Sequence, residues 1–297
     1  MAEARGCFNL RDDVRSENRN MSELNAGIAP AQPRQNVQVR FADGRIFEGP
    51  VGTPLESFIK QAFPKAEPPI VAALVNEDVR ELTHPINSDV QVTPLVITTG
   101  DGMRIYQRSL CFLMVVAAQE LYPDVRMVID HSLTLSGLYC EVRGREPFSE
   151  EEIKRLEKRM REIVAETAPI VKERMPLQQA VEMFRKQGYD DKVRLLNYRR
   201  KDYLVVYSLH NVRGYFYGYM APSTGYLSLF ALQPHPPGLI LRFPRRYEPN
   251  KLPPFRDSPK LAAMFREYRH TMELMGIEDV GTLNQVIEMS RMREAIL

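Results

Sequence analysis

Three cysteines in 297 residues (Cys7, Cys111 and Cys140) are odd in number, widely spaced and form no Cys-x-x-Cys pair. That argues against a disulfide framework and against a zinc ribbon. No apolar run reaches the ~18–20 residues that cross a bilayer. The first 35 residues lack the apolar stretch of a signal peptide. A reducing cytoplasm is the expected compartment, with no membrane partner. Neither sign of charge is in excess: 40 Lys and Arg against 38 Asp and Glu give a net charge of +2, so a polyanion would have to be met by a local patch. No Gly-x-x-x-x-Gly-Lys-Ser/Thr run occurs, so the phosphate cradle that nucleotide-dependent phosphoryl transfer needs is missing. His84, His131, His210, His235 and His270 are scattered. His131 and Cys140 share a segment, but two ligands without a third make no metal site, and a structural histidine beside a buried thiol is the plainer reading.

What is there reads as an ordinary globular chain, 44% hydrophobic and 26% charged, long enough for two compact domains with a core each. Residues 1–35 are polar with no apolar period and read as a disordered tail. Residues 36–99 form a first domain. Alternation over 37–41, a tight turn at Asp43-Gly44 and a return over 45–51 predict a hairpin. Thr53 is placed as N-cap and Pro54 as first residue of a helix burying Leu55, Phe58, Ile59 and Ala62. Strands over 70–75 and 90–97, with a turn at Glu77-Asp78, complete a β-grasp pattern.

Residues 100–248 form a second domain, α+β with an antiparallel sheet. Residues 103–121 read as a helix stopped by Tyr122-Pro123. Strands are predicted over 124–129, 137–142, 204–209, 215–219 and 226–232. Ser149 and Glu152 form a capping box before a helix burying Ile153, Leu156, Met160 and Ile163. A further helix spans 176–187, closed by Gly188. Residues 249–297 read as a linker with helices. Prolines at 234–237 and 244–254 suit a rigid strap. Ser258-Pro259 starts a helix ending at Gly276, and another begins near Thr282. The end at Ala295-Ile296-Leu297 carries no stop signal, so the chain is expected to be the N-terminal part of something longer.

Gly52-Thr53-Pro54-Leu55, Val75-Asn76 and the run 82–90 resemble a TGS domain. Tyr217-Gly218-Tyr219-Met220-Ala221-Pro222-Ser223-Thr224-Gly225 resembles the Pro-Ser-Thr-Gly segment that closes the editing module of threonyl-tRNA synthetases. In that family a Cys-x-x-x-His pair precedes the segment and a His-x-x-x-His pair opens the first helix. Here those positions carry Phe216 and Met220, and Arg108 and Phe112. No catalytic residue can be named, because Phe and Met exchange no protons and Arg stays protonated. The order of modules, with residues 101–110, 131–133, 137–141, 214–227 and 239–244, also resembles bacterial uridine kinase-like proteins of the phosphoribulokinase/uridine kinase family. That resemblance implies a regulatory or ligand-binding N-terminal region serving a kinase domain outside this chain, the only part for which ATP and Mg would be cofactors. The alternative is an RNA (tRNA)-binding adaptor derived from the editing module.

For the old cleft, one expectation is that core packing has filled it. The other is a repurposed pocket formed by Arg108, His131, Tyr139, Tyr215, Tyr217 and Tyr219, whose rings would stack on a base while Arg108 pairs with a phosphate. Alternation along a strand would put the three later tyrosines on one face and Phe216 on the other. Two basic-aromatic clusters are candidate nucleic-acid patches. Arg242, Arg245 and Arg246 lie with Phe243 and Tyr247; Arg199, Arg200 and Lys201 lie with Tyr198, Lys192 and Arg194. Solvated surface, or contact with another domain, is the competing reading for both.

Overall fold

The computed structural model describes residues 32–133, 137–256 and 259–289. Most of the expected tail, Cys7, the Ser258 helix start and the apolar chain end lie outside the described residues.

The fold class is the α+β expected. The first sheet has five strands in the order β2-β1-β7-β4-β5. β1 (Asn36–Phe41) and β2 (Ile46–Pro50) form the expected hairpin, with Gly44 at φ 87° in the turn. β1 also runs parallel to β7 (Val90–Val96) at the sheet centre. β4 (Ile70–Val75) continues through Asn76 and Glu77, both at positive φ, into β5 (Asp78–Glu81). The turn therefore sits one residue earlier than the sequence suggested, and β5 was not foreseen. Thr53 does not cap the helix. Thr53 and Pro54 form a short strand, β3, pairing with β6 (Pro85–Ile86), and α1 (Leu55–Ala62) starts behind it with its four apolar residues buried.

One face of this sheet packs on α1. The other packs on α2 (Gly100–Leu121), because β4 is apolar on both faces: Val71 and Ala72 belong to the same buried cluster as Leu110, Phe112 and Leu113 of α2. One buried cluster thus reaches from the first unit into the second, while Val39, Leu55 and Phe58 belong to a separate cluster within the first unit. α2 starts where Thr99 accepts from the Gly102 N–H at 3.1 Å, and it ends before Pro123.

The second unit holds two sheets. One has the order β13-β14-β9-β8, and the other β10-β11-β12. β8 (Arg126–Leu133) and β9 (Gly137–Arg143) are antiparallel. α3 (Glu150–Ala165) carries the capping box from both sides and buries the four residues expected. β10 (Val171–Pro176), α4 (Leu177–Lys186), α5 (Asp190–Leu196), β11 (Tyr203–Leu209) and β12 (Val212–Gly214) follow. Prolines 234, 236 and 237 are no strap: residues 234–237 close the hairpin of β13 (Ala231–His235) and β14 (Gly238–Arg242). Residues 226–230 are not a strand, since Thr224–Tyr226 winds into a 3-10 turn. α6 (Pro259–Leu274) and α7 (Val280–Glu288) come last, the latter capped by Asp279.

Residues 215–219 are also not a strand. Gly218 stands at φ 118°, and just beyond residue 219 two successive backbone N–H groups are taken by side chains: Met220 donates to Glu81 at 3.0 Å and Ala221 donates to the Ser109 hydroxyl at 2.9 Å. Residues 215–219 pair with no strand, and the facing assigned to the tyrosines by alternation does not apply.

Candidate nucleic-acid interface

The four positions where the resemblance would place His and Cys come together. The Phe112 and Phe216 rings lie 5.2 Å apart, with Phe112 fully buried. Met220 is buried with its sulfur 3.6 Å from Ser109 Oγ. The Arg108 guanidinium donates to the Tyr219 carbonyl at 2.6 Å. It passes so close beneath Gly218 that a Cβ there would lie 2.6 Å from its Cζ. Burial lowers the Arg108 pKa, and Tyr207, Cys111 and Glu81 oppose that shift. Arg108, Phe112, Phe216 and Met220 are packed together here, and none of the four is a base near neutral pH.

Glu81 reaches the same spot from β5. Its buried carboxylate accepts from the Tyr207 hydroxyl at 2.5 Å, from Lys172 at 2.8 Å and from the Met220 N–H. No sequence signal singled out Glu81 or Lys172, since neither stands in a motif.

Outside this packed point lies an open groove of about 930 Å³. Its walls are the α5–β11 connection, with Arg199, Arg200 and Lys201, and the segment carrying Tyr215, Tyr217 and Tyr219. Lys172, Tyr198, Tyr203 and Tyr207 complete the polar lining, and no carboxylate is among the lining residues. The side chains are held in place. Arg199 donates to the Tyr203 carbonyl at 2.7 Å. Arg174 lies 3.5 Å over the Tyr203 ring, and Lys172 lies 4.9 Å from the Tyr219 ring. Tyr217 is 90% exposed, an aromatic face presented to solvent. Chemically the groove offers cations for phosphate and ring faces for stacking.

The other candidates sit elsewhere. His131 and Tyr139 are opposite one another on β8 and β9, under α6. The His131 ring stacks on Phe265 at 3.8 Å, and Tyr139 donates to Glu141 at 2.9 Å. Burial and Glu141 both raise the Tyr139 pKa. Arg269 of α6 pairs with Asp130 and Glu141, so His131 and Tyr139 form the seat of a helix and are not part of a pocket with Arg108. Arg242 donates to the Pro253 carbonyl, Arg245 lies 5.7 Å over the Tyr247 ring, and Arg246 lies near Gly100. None of the three lines the groove. Lys192 is drawn onto Tyr189 and Phe184, and Arg194 pairs with Asp279. Among the described residues, no three His, Cys, Asp or Glu gather as metal ligands. No helix among them is long and apolar enough to cross a membrane.

The chain is similar to enzymes of tRNA aminoacylation. Over 196 residues, 66% of its length, it is 26% identical to the threonine--tRNA ligases of Francisella tularensis subsp. novicida (strain U112), subsp. tularensis (strain SCHU S4 / Schu 4) and subsp. holarctica (strain LVS). The match covers 31% of each ligase, so the chain spans about a third of the length of the curated relatives it matches. The mixed α+β architecture agrees with the TGS and editing modules expected from the resemblance. No protein-family profile matches the chain. The uridine kinase expectation gains no support from these relatives, which are ligases.

Proposed function

We propose that this chain is an RNA-binding module, with tRNA as the leading partner class, that holds its ligand in the groove between residues 199–203 and 215–219 and does not cleave it. The observation that carries the reading is the lining itself: Arg199, Arg200 and Lys201 line one hollow with Tyr203, Tyr217 and Tyr219, and no carboxylate is among its lining residues. A small-molecule anion would need fewer rings, and a duplex would present no free base faces to them. Base stacking on aromatics is worth about 1–3 kcal/mol per base. Lys172 is already paired with Glu81, so the three cations Arg199, Arg200 and Lys201 on phosphates give a salt slope of about −2 for a single strand. The similarity to threonine--tRNA ligases points to the same partner class.

Hydrolysis is not part of the proposal. Ester cleavage near neutral pH needs a group that accepts and returns a proton, and Arg108, Phe112, Phe216 and Met220 supply none. The test measures fluorescence anisotropy of labelled tRNA between 50 and 300 mM salt. Binding that weakens linearly in log salt supports the proposal, and no binding at the lowest salt removes it. In the same samples, mischarged tRNA incubated with the chain keeps its aminoacyl ester; accelerated loss would contradict the non-catalytic part.

A further inference from the structure

A second cleft, of about 620 Å³, opens between the two units. The first unit contributes Arg80, Thr83 and His84, and the second contributes Val171, Lys172 and Tyr219. Lys172 and Tyr219 line the groove as well, so the two hollows share a wall. We infer that a single strand seated in the groove continues past Lys172 and Tyr219 into this cleft, where Arg80 of the first unit holds a further phosphate. The inference rests on the RNA-binding proposal and extends it from the second unit to both.

Three observations carry it. The first is adjacency: Lys172 and Tyr219 line both hollows, with Lys172 Nζ 4.9 Å from the Tyr219 ring. A cation lies over a ring there, as Arg174 does over Tyr203. The second is charge. Glu81 is the one carboxylate in the cleft lining, and it is already occupied by Lys172, Tyr207 and the Met220 N–H, turned into the protein and buried. Arg80 donates to the Val79 carbonyl at 3.3 Å and pairs with the well-exposed Asp78 at 3.0 Å, an ion pair that water and salt weaken and a phosphate can replace. Burial foremost, then Arg80 and Lys172, with Glu81 opposing, hold the His84 pKa below its ordinary value. The third is rigidity. Pro85, Pro169 and Pro222 are among the lining residues, so this part of the path needs little ordering when a strand enters. The groove's rings require unpaired bases, which makes the ligand a single-stranded segment.

The experiment measures binding of labelled oligoribonucleotides of about 4, 8 and 12 residues to the full chain, spanning the site sizes usual for single-strand grooves. The wild-type chain is expected to bind the longer oligomers more tightly. Arg80→Ala should weaken them about five- to tenfold, reduce their salt slope by about 0.7, and leave the shortest within twofold. Arg80→Lys should restore most of the loss, and an unchanged melting temperature shows that the variant folds. Equal loss for short and long oligomers, or none for either, overturns the inference while the groove stands. Wild-type chain that binds no oligomer of any length refutes the groove reading itself.

Discussion

The Tyr207 hydroxyl on β11 donates to Glu81 on β5 at 2.5 Å, with the Gly218 carbonyl 2.9 Å from the same oxygen. That contact joins the first unit to the back wall of the groove. Glu81 is buried and also holds Lys172 and the Met220 N–H, so one carboxylate fixes three groups of the second unit. Burial and Glu81 both raise the Tyr207 pKa, so the phenol stays a donor throughout the working pH range.

Removing that carboxylate leaves a cation and two donors without their acceptor. Glu81→Ala should lower stability by about 2–4 kcal/mol, since it leaves the buried Tyr207 hydroxyl and Met220 N–H without their acceptor while water can solvate the exposed Lys172. Tyr207→Phe should cost about 1–2 kcal/mol, since it removes a donor while Lys172 keeps its partner. Urea unfolding followed by circular dichroism measures both. Equal costs for the two variants would show that Glu81 is not the shared acceptor.

Lys192 gives a pH dependence. Burial foremost, with help from Arg126 and against Asp191, lowers its pKa to about 8 from 10.5. The native state therefore holds this proton less tightly than the unfolded chain. Between about pH 8 and 10.5 the unfolded state carries more protons, and this group's contribution to stability rises with pH. Its rings, Tyr189 at 4.0 Å and Phe184 at 5.0 Å, offset part of the burial cost. Lys192→Met is expected to be more stable than wild type at pH 7, by roughly 1–3 kcal/mol, with the gap closing by pH 10.5. A gap of constant size across that window would contradict the account.

Two thiols should be silent. Burial pushes Cys111 up to about 12 and Cys140 well above its ordinary value, and both side chains are buried. Thiolate is the reactive form. A Cys7→Ser chain should give no reaction with a thiol-specific chromogenic disulfide at pH 8 until urea is added, after which two thiols appear. Reaction of the native chain within minutes would contradict the burial of Cys111 and Cys140.

Local rules carried much of the fold. The α3 capping box and its buried stripe were legible because both are set within a few residues of one another. So was the β1–β2 hairpin, where Gly44 supplies the positive φ the turn needs. The errors fall where distant groups decide. Residues 215–219 alternate like a strand, yet Glu81 and Ser109, more than 100 residues away in sequence, take the N–H groups just beyond them. Proline at 234, 236 and 237 suggested a strap because sequence alone does not show that residues 231–235 and 238–242 pair around a hairpin. The two halves of the groove were both visible as residue types, the tyrosines in one place and Arg199-Arg200-Lys201 in another. Their meeting was not. It follows from β11 and β12 pairing antiparallel, with Tyr207 opposite Gly214, which sends the chain after Gly214 back towards Tyr203. His131 and Tyr139 were singled out by type and neighbourhood, and the partner that occupies them, Phe265 with Arg269, lies well over 100 residues further on.

The most direct measurement compares two triple charge reversals for binding to labelled tRNA at fixed low salt. One replaces Arg199, Arg200 and Lys201 by Glu in the groove; the other replaces Arg242, Arg245 and Arg246, which lie outside it. The first should weaken binding at least about a hundredfold, with a flatter salt dependence, and the second by no more than about threefold. If the second variant loses as much as the first, or the first binds as wild type does, the groove is not where the RNA sits.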